Sequence, residues 1–124
     1  IRSTGNNCHL YFSDATSGAG EYVGQITYNH SSDYMNFITN GTERARIDSS
    51  GHLLPGANDT YDLGSSSSRW RDIYTGDLNL SNEGKSNDVD GTWGNYTIQE
   101  GENDLFLINN RSGKKYKFNL TEVS

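Results

Sequence analysis

Residues 54 to 75 read Leu-Pro-Gly-Ala-Asn-Asp-Thr-Tyr-Asp-Leu-Gly, four serines, then Arg-Trp-Arg-Asp-Ile-Tyr-Thr. The stretch holds the only proline of the chain and the only apolar residues at helical spacing. Trp70, Ile73 and Tyr74 stand at i, i+3 and i+4, which places them on one face of a single helical turn. Ser68 occupies the position of an N-cap hydroxyl, and Asp72 lies early enough to favour the positive end of that turn. Arg71 stands where a capping box would have Glu or Gln, so the box is incomplete. The expectation is a short capped turn near Ser68 to Tyr74, burying Trp70 as a joint between two β regions.

These residues carry a resemblance. The Leu-Pro step, the Asn-Asp and Tyr-Asp-Leu-Gly turn, the serine run and Arg-Trp-Arg-Asp-Ile-Tyr-Thr resemble a segment of the distal parts of bacteriophage tail fibres and tailspikes. Upstream, His9-Leu-Tyr-Phe-Ser-Asp and Asn40-Gly-Thr-Glu-Arg-Ala-Arg-Ile-Asp-Ser-Ser-Gly51 are similar to strand-and-turn modules of the same proteins. The resemblance covers roughly the first two thirds of the chain. It implies an intertwined homotrimer and leaves the receptor open. In numerous relatives the Arg-Trp-Arg-Asp-Ile-Tyr motif leads into a cleavable intramolecular chaperone with a catalytic Ser-Asp junction and a largely helical body. The residues after Thr75 read as β, so a small β cap is expected here in its place, on the end piece of a longer protein; the alternative is that Ser124 is the end left after a downstream chaperone was removed.

The 124 residues suit one domain or a few small modules. Only 31% are hydrophobic and mean hydropathy is −0.82, so a lone chain has little from which to build a core. Disorder is disfavoured by eight Tyr, four Phe and two Trp and by regular alternation in several segments. A core shared between chains fits better. The net charge of −6 makes nucleic acid an improbable partner, since phosphate binding needs a basic footprint. No signal peptide, apolar span or lipidation motif is visible, so membrane insertion is not expected.

Alternation then sets out an all-β chain. Gly24, Ile26 and Tyr28 share one strand face, Tyr34 to Thr39 follows a polar turn, and Asn40-Gly41 signals a two-residue hairpin. In the next strand Ala45 and Ile47 are expected inward, with Arg44 and Arg46 outward. Residues 1–54 therefore read as a β-meander module and 55–81 as the joint, ending in an alternating run with Leu78 and Leu80 inward. Residues 82–91 read as a linker, and 92–124 as a three-stranded cap with Tyr96 and Ile98 on one face. Its middle strand is apolar on both faces, so Phe106, Leu107, Ile108 and, from the last strand, Phe118 are expected in a trimer core.

Catalytic constellations are thin. Asp59 with Asp62 and Asp88 with Asp90 sit in polar turns where Asp is the usual residue. Asn87-Asp-Val-Asp-Gly91 fails the calcium-loop pattern, with Ser86 and Thr97 at key ligand positions. His9, His30 and His52 are scattered, leaving only a site shared on a trimer axis as a metal possibility, and Cys8 has no partner in the chain. No enzyme activity, metal or cofactor is expected. Receptor contact remains, and Trp93, Asn95, Asn110 and Arg111, with Tyr96 and Gln99, cluster in sequence near the cap as an aromatic surrounded by polar groups. The expected function is a distal tail-fibre piece in the virion, joined to an upstream shaft. It would be a non-enzymatic trimeric stalk and tip that attaches to a bacterial surface glycan or protein. The alternatives are the trimerisation module of a depolymerase tailspike and a purely structural virion spacer.

Overall fold

A computed structural model describes residues 4–123 of the chain. It is almost wholly β, with nine strands in two antiparallel sheets and one 3-10 turn at Ala19–Tyr22 among the described residues. The chain divides into two units, Ile1–Arg69 and Trp70–Ser124, each containing one sheet.

The first sheet is a five-stranded meander of β1 (Asn7–Phe12), β2 (Gly24–Asn29), β3 (Tyr34–Thr39), β4 (Thr42–Ile47) and β5 (Leu53–Pro55). Local turn chemistry sets its register. Asn29 Oδ1 accepts the N–H groups of Ser31 and Ser32 at 3.0 and 2.9 Å, closing the β2–β3 loop as an Asx turn. Asn40 and Gly41 have φ of 51° and 66°, the left-handed pair of a type I′ hairpin that matches strand twist. Asp48 Oδ1 accepts from Ser50 and His52 N–H, both at 2.9 Å, and these bonds hold its carboxyl below the usual range. Pro55 ends β5 on an outer strand, where a missing N–H is tolerated.

The two faces of this sheet differ in kind. Cross-strand register aligns His9, Thr27, Asn36 and Arg46 in one polar row. A shift in register between Phe37 and Ile38 leaves Arg44 as an extra residue in β4, which turns Glu43 onto the same face as Arg46. The Glu43 carboxylate then accepts from Arg46 Nε at 2.6 Å, Arg46 Nη2 at 2.9 Å and Asn36 Nδ2 at 2.8 Å. Tyr34 lies 4.5 Å beneath the Arg46 guanidinium, and His9 Nδ1 meets Thr27 Oγ1 at 2.9 Å. The opposite face carries Leu10, Phe12, Ile26, Met35, Phe37, Ala45, Ile47 and Leu53.

Ala45 and Ile47 share this apolar face as expected, and within the unit the face is left largely open. Ile26 and Ala45 at its centre are half-buried, its other residues are exposed from 36% at Phe37 to 68% at Leu53, and among the described residues no hydrophobic side chain is fully buried. The buried side chains are instead polar, namely Thr27, Asn36 and Thr97. Arg46 lies on the face opposite Ala45 and Ile47, as expected, and its guanidinium is tied into the polar row by Glu43.

The second sheet contains β6 (Leu78–Ser81), β7 (Asn95–Glu100), β8 (Leu105–Asn109) and β9 (Lys115–Lys117). It corrects the expected three-stranded cap, because Leu78–Ser81 pairs with β7 from Leu78↔Ile98 to Ser81↔Asn95. Residues 82–91 form a folded loop between these strands: Asn87 Oδ1 accepts from Val89 and Asp90 N–H at 2.8 and 3.0 Å. Leu78, Leu80, Tyr96, Ile98, Leu107 and Tyr116 share one face. Phe106 and Ile108 lie on the other with Thr97, Lys115 and Lys117, while Phe118 continues beyond β9 through its N–H to Leu105 O at 3.0 Å. These core candidates are only half-buried within the chain.

The expected helical turn is absent. Residues 68–74 follow an irregular path, with Trp70, Ile73 and Tyr74 exposed at 63%, 70% and 91%. Ser68 is not an N-cap; its N–H donates to Ser65 Oγ at 3.0 Å, and Asp72 accepts from Arg71 Nε at 2.9 Å. One turn of helix fixes many dihedrals for one hydrogen bond, and side-chain pairs of about 0.2–0.5 kcal/mol do not offset that without tertiary cover. The preceding half of the motif is better anchored. Gly56 N–H donates to Arg44 O at 2.8 Å, and Arg44 donates to Tyr61 OH at 2.9 Å while lying over its ring.

Two outcomes follow for the first unit. A Cβ on Gly56 would overlap the Glu43 carbonyl, so Gly56→Ala should destabilise by about 1–3 kcal/mol in urea unfolding followed by circular dichroism. Arg46 and, next, Asn36 lower the folded-state pKa of Glu43. Its stabilisation is therefore complete above the unfolded value of about 4.3 and is lost as pH falls through the lower folded value. Glu43→Gln should remove that part of the acid destabilisation.

Candidate functional site

The four receptor candidates meet at one end of the second sheet. Asn109 starts the β8–β9 turn by accepting Arg111 and Ser112 N–H at 3.0 and 3.1 Å on Oδ1, and Asn109 N–H closes onto Lys114 O at 2.8 Å. This Asx turn sends the Arg111 side chain back across the sheet. Its Cζ lies 3.7 Å from the Trp93 ring centroid, and Nη1 donates to Trp93 O at 2.8 Å. A backbone carbonyl thus fixes the guanidinium over the indole, a contact worth about 0.5–1 kcal/mol at an exposed position.

Asn95 and Asn110 support this stack. Asn110 N–H donates to Asn95 O at 2.9 Å, and Asn110 Nδ2 reaches Asn95 Oδ1 at 2.8 Å and Thr97 Oγ1 at 2.9 Å. The Thr97 hydroxyl in turn donates to Asn79 Oδ1 at 2.7 Å. Their amides are therefore engaged in holding the strand ends together. What remains outward is the exposed Arg111 and part of the half-buried Trp93. Gln99 lies farther along β7 and donates to Asp77 Oδ2 at 2.8 Å, while Tyr96 points to the apolar face and its hydroxyl accepts from Asn109 Nδ2 at 3.0 Å.

Beside this stack runs a shallow groove of about 500 Å³ along β6, walled by Asn79, Asn82, Asn87 and Tyr96. Sequence reasoning missed it. The signal was the density of Asn in residues 79–87, which reads equally well as turn chemistry. Asn82 Oδ1 accepts Gly94 N–H at 2.7 Å, and Asn87 Nδ2 donates to Asp90 Oδ1 at 2.7 Å and Thr92 O at 2.8 Å. Thr92 and then Asn87 lower the pKa of Asp90, which stays a bound anion inside its own loop.

The histidines are engaged separately: His9 with Thr27, His30 edge-on to Tyr28 at 4.9 Å, and His52 with Asp48 at 3.1 Å. Cys8 is half-buried opposite Tyr28 on the apolar face, while His9 points to the polar one. Among the described residues no three His, Cys, Asp or Glu side chains gather as metal ligands, and no helix is long and apolar enough to cross a membrane.

In a Trp70→Phe background Trp93 is the sole tryptophan. Arg111→Ala should shift its emission and cost no more than about 1 kcal/mol of stability, since the strand pairing stays intact. Comparisons with family models, curated proteins and solved structures give no match to this chain.

Proposed function

We propose that this chain is a distal piece of a bacteriophage tail fibre, acting in the virion as a non-enzymatic homotrimeric stalk and tip for attachment to a bacterial surface. The observation that carries the reading is that each sheet leaves its apolar face open within its own unit. Leu10, Phe12, Met35, Phe37, Ile47 and Leu53 on the first sheet, and Leu78, Leu80 and Tyr116 on the second, remain substantially exposed. Removing such a side chain from water is worth about 1.5–3 kcal/mol for full burial, and an exposed face of this extent calls for a cover.

Three copies around an axis supply that cover from the same residues on each chain, with closed symmetry. Phe106, Leu107, Ile108 and Phe118 then become a shared core, and Trp70, Ile73 and Tyr74 gain the tertiary cover they lack in one chain. The polar face of the first sheet and the turns stay outward. An acidic, self-repelling surface suits a soluble particle that binds neither nucleic acid nor the bilayer interior. The upstream shaft is a further partner, and a surface glycan or protein is the receptor.

Light scattering on the 124-residue chain tests this. The expected mass is three times 13.8 kDa, unchanged on dilution. Phe37→Asp and Leu107→Asp should each dissociate the particle. A well-folded monomer of the unsubstituted chain, or an intact trimer of both variants, would refute the shared core.

A further inference from the structure

Building on the attachment function above, we propose that the Arg111–Trp93 stack is a binding site for an anionic sugar residue. The ring's apolar C–H face would lie on the exposed part of the indole and its carboxylate or phosphate on the guanidinium.

Three observations converge on this ligand class. The first is geometry. The Arg111 guanidinium is fixed 3.7 Å above the Trp93 ring with one Nη1–H spent on Trp93 O, so the rest of the planar fork is presented on an exposed residue. A pre-positioned fork suits carboxylate and phosphate oxygens, and an aromatic surface beside it suits a ligand with both a charge and an apolar face. The second is charge. Four of the ten basic residues of this acidic chain are Arg111, Lys114, Lys115 and Lys117, and residues 105–121 contain no Asp or Glu. Among the described residues only Lys117 of the four forms an ion pair, with Asp104 at 2.9 Å. The adjacent Asp90 carboxylate is directed inward to Asn87 and Thr92. A local cationic tip on a chain of net charge −6 selects an anion at short range.

The third is rigidity. The Asx turn at Asn109 and the Asn110 bonds to Asn95 and Thr97 position the stack without a mobile element. Such preorganisation lowers the ordering cost of binding.

The test uses the full chain with Trp70→Phe, reading Trp93 emission during titration with trigalacturonate, its neutral methyl ester, glucose 6-phosphate and triglutamate. Expected is saturable binding of trigalacturonate, of the sugar phosphate, or of both, which separates a carboxylate source from a phosphate source. The ester and the peptide should bind at least tenfold more weakly, a difference of about 1.4 kcal/mol. Arg111→Gln should weaken the anionic sugar about tenfold or more. Arg111→Lys, which keeps the charge and loses the fork, should fall between, and Lys114→Gln should reduce binding a few-fold with a smaller salt dependence. Circular dichroism establishes that each variant is folded. No saturable change up to about 10 mM, a tight range for weak sites of about −3 kcal/mol and beyond, would overturn the assignment. Equal binding of the ester would overturn it by removing the charge, and equal binding of triglutamate by removing the sugar. Light scattering on the same samples reports chain association independently: a trimer without sugar binding defeats the ligand assignment alone, and a monomer that binds the sugar supports the site while defeating the trimer.

Discussion

A β-sheet with one apolar face must place that face against something, and each sheet of this chain lacks a cover within its own unit. The chain satisfies its polar groups well and its apolar ones poorly. Thr27, Asn36 and Thr97 are enclosed, whereas Phe37, Leu53 and Leu78 are open. Hydrophobic burial is the main favourable term in folding, and the open faces leave much of that term unrealised within each unit. The shared core we propose follows from that imbalance more than from any single motif.

The polar rows act as the complement. In the first sheet a one-residue bulge at Arg44 brings Glu43 beneath Arg46 and Asn36, and in the second Thr97 links Asn79 to Asn110. These side-chain ladders join adjacent strands and make a register slip costly, because a slip of one residue would move every bond to the opposite face. Asn36 Oδ1 is the exception, a buried acceptor without a donor among the described residues. Networks of this kind define which strands pair, and the apolar faces then define what the paired strands pack upon.

The candidate recognition surface depends on the same economy of turns. Asn29, Asn87 and Asn109 each accept two following N–H groups with one side-chain oxygen, so the loops are rigid despite their polarity. At Asn109 the result is the placement of Arg111 on Trp93. Rigid loops on a β scaffold can carry recognition without any moving part.

Much of this was legible in the sequence, because period-2 alternation and Asn-Gly or Asn-initiated turns are local signals. They gave the all-β class, the β3–β4 hairpin at Asn40-Gly41 and the grouping of Trp93 with Arg111. They failed at Ser68 to Tyr74, where helical spacing of Trp70, Ile73 and Tyr74 was outweighed by the cost of an isolated turn. They marked Leu78–Ser81 as an alternating run but not as the fourth strand of the cap, since that depends on a partner distant in the chain. The tertiary structure alone decided the bulge that unites Glu43 with Arg46, the close approach of Gly56 to Glu43, and the direction of the Arg111 side chain. Spacing along a chain sets which residues share a face, but which face is covered, and by what, is settled only where strands far apart in sequence come together.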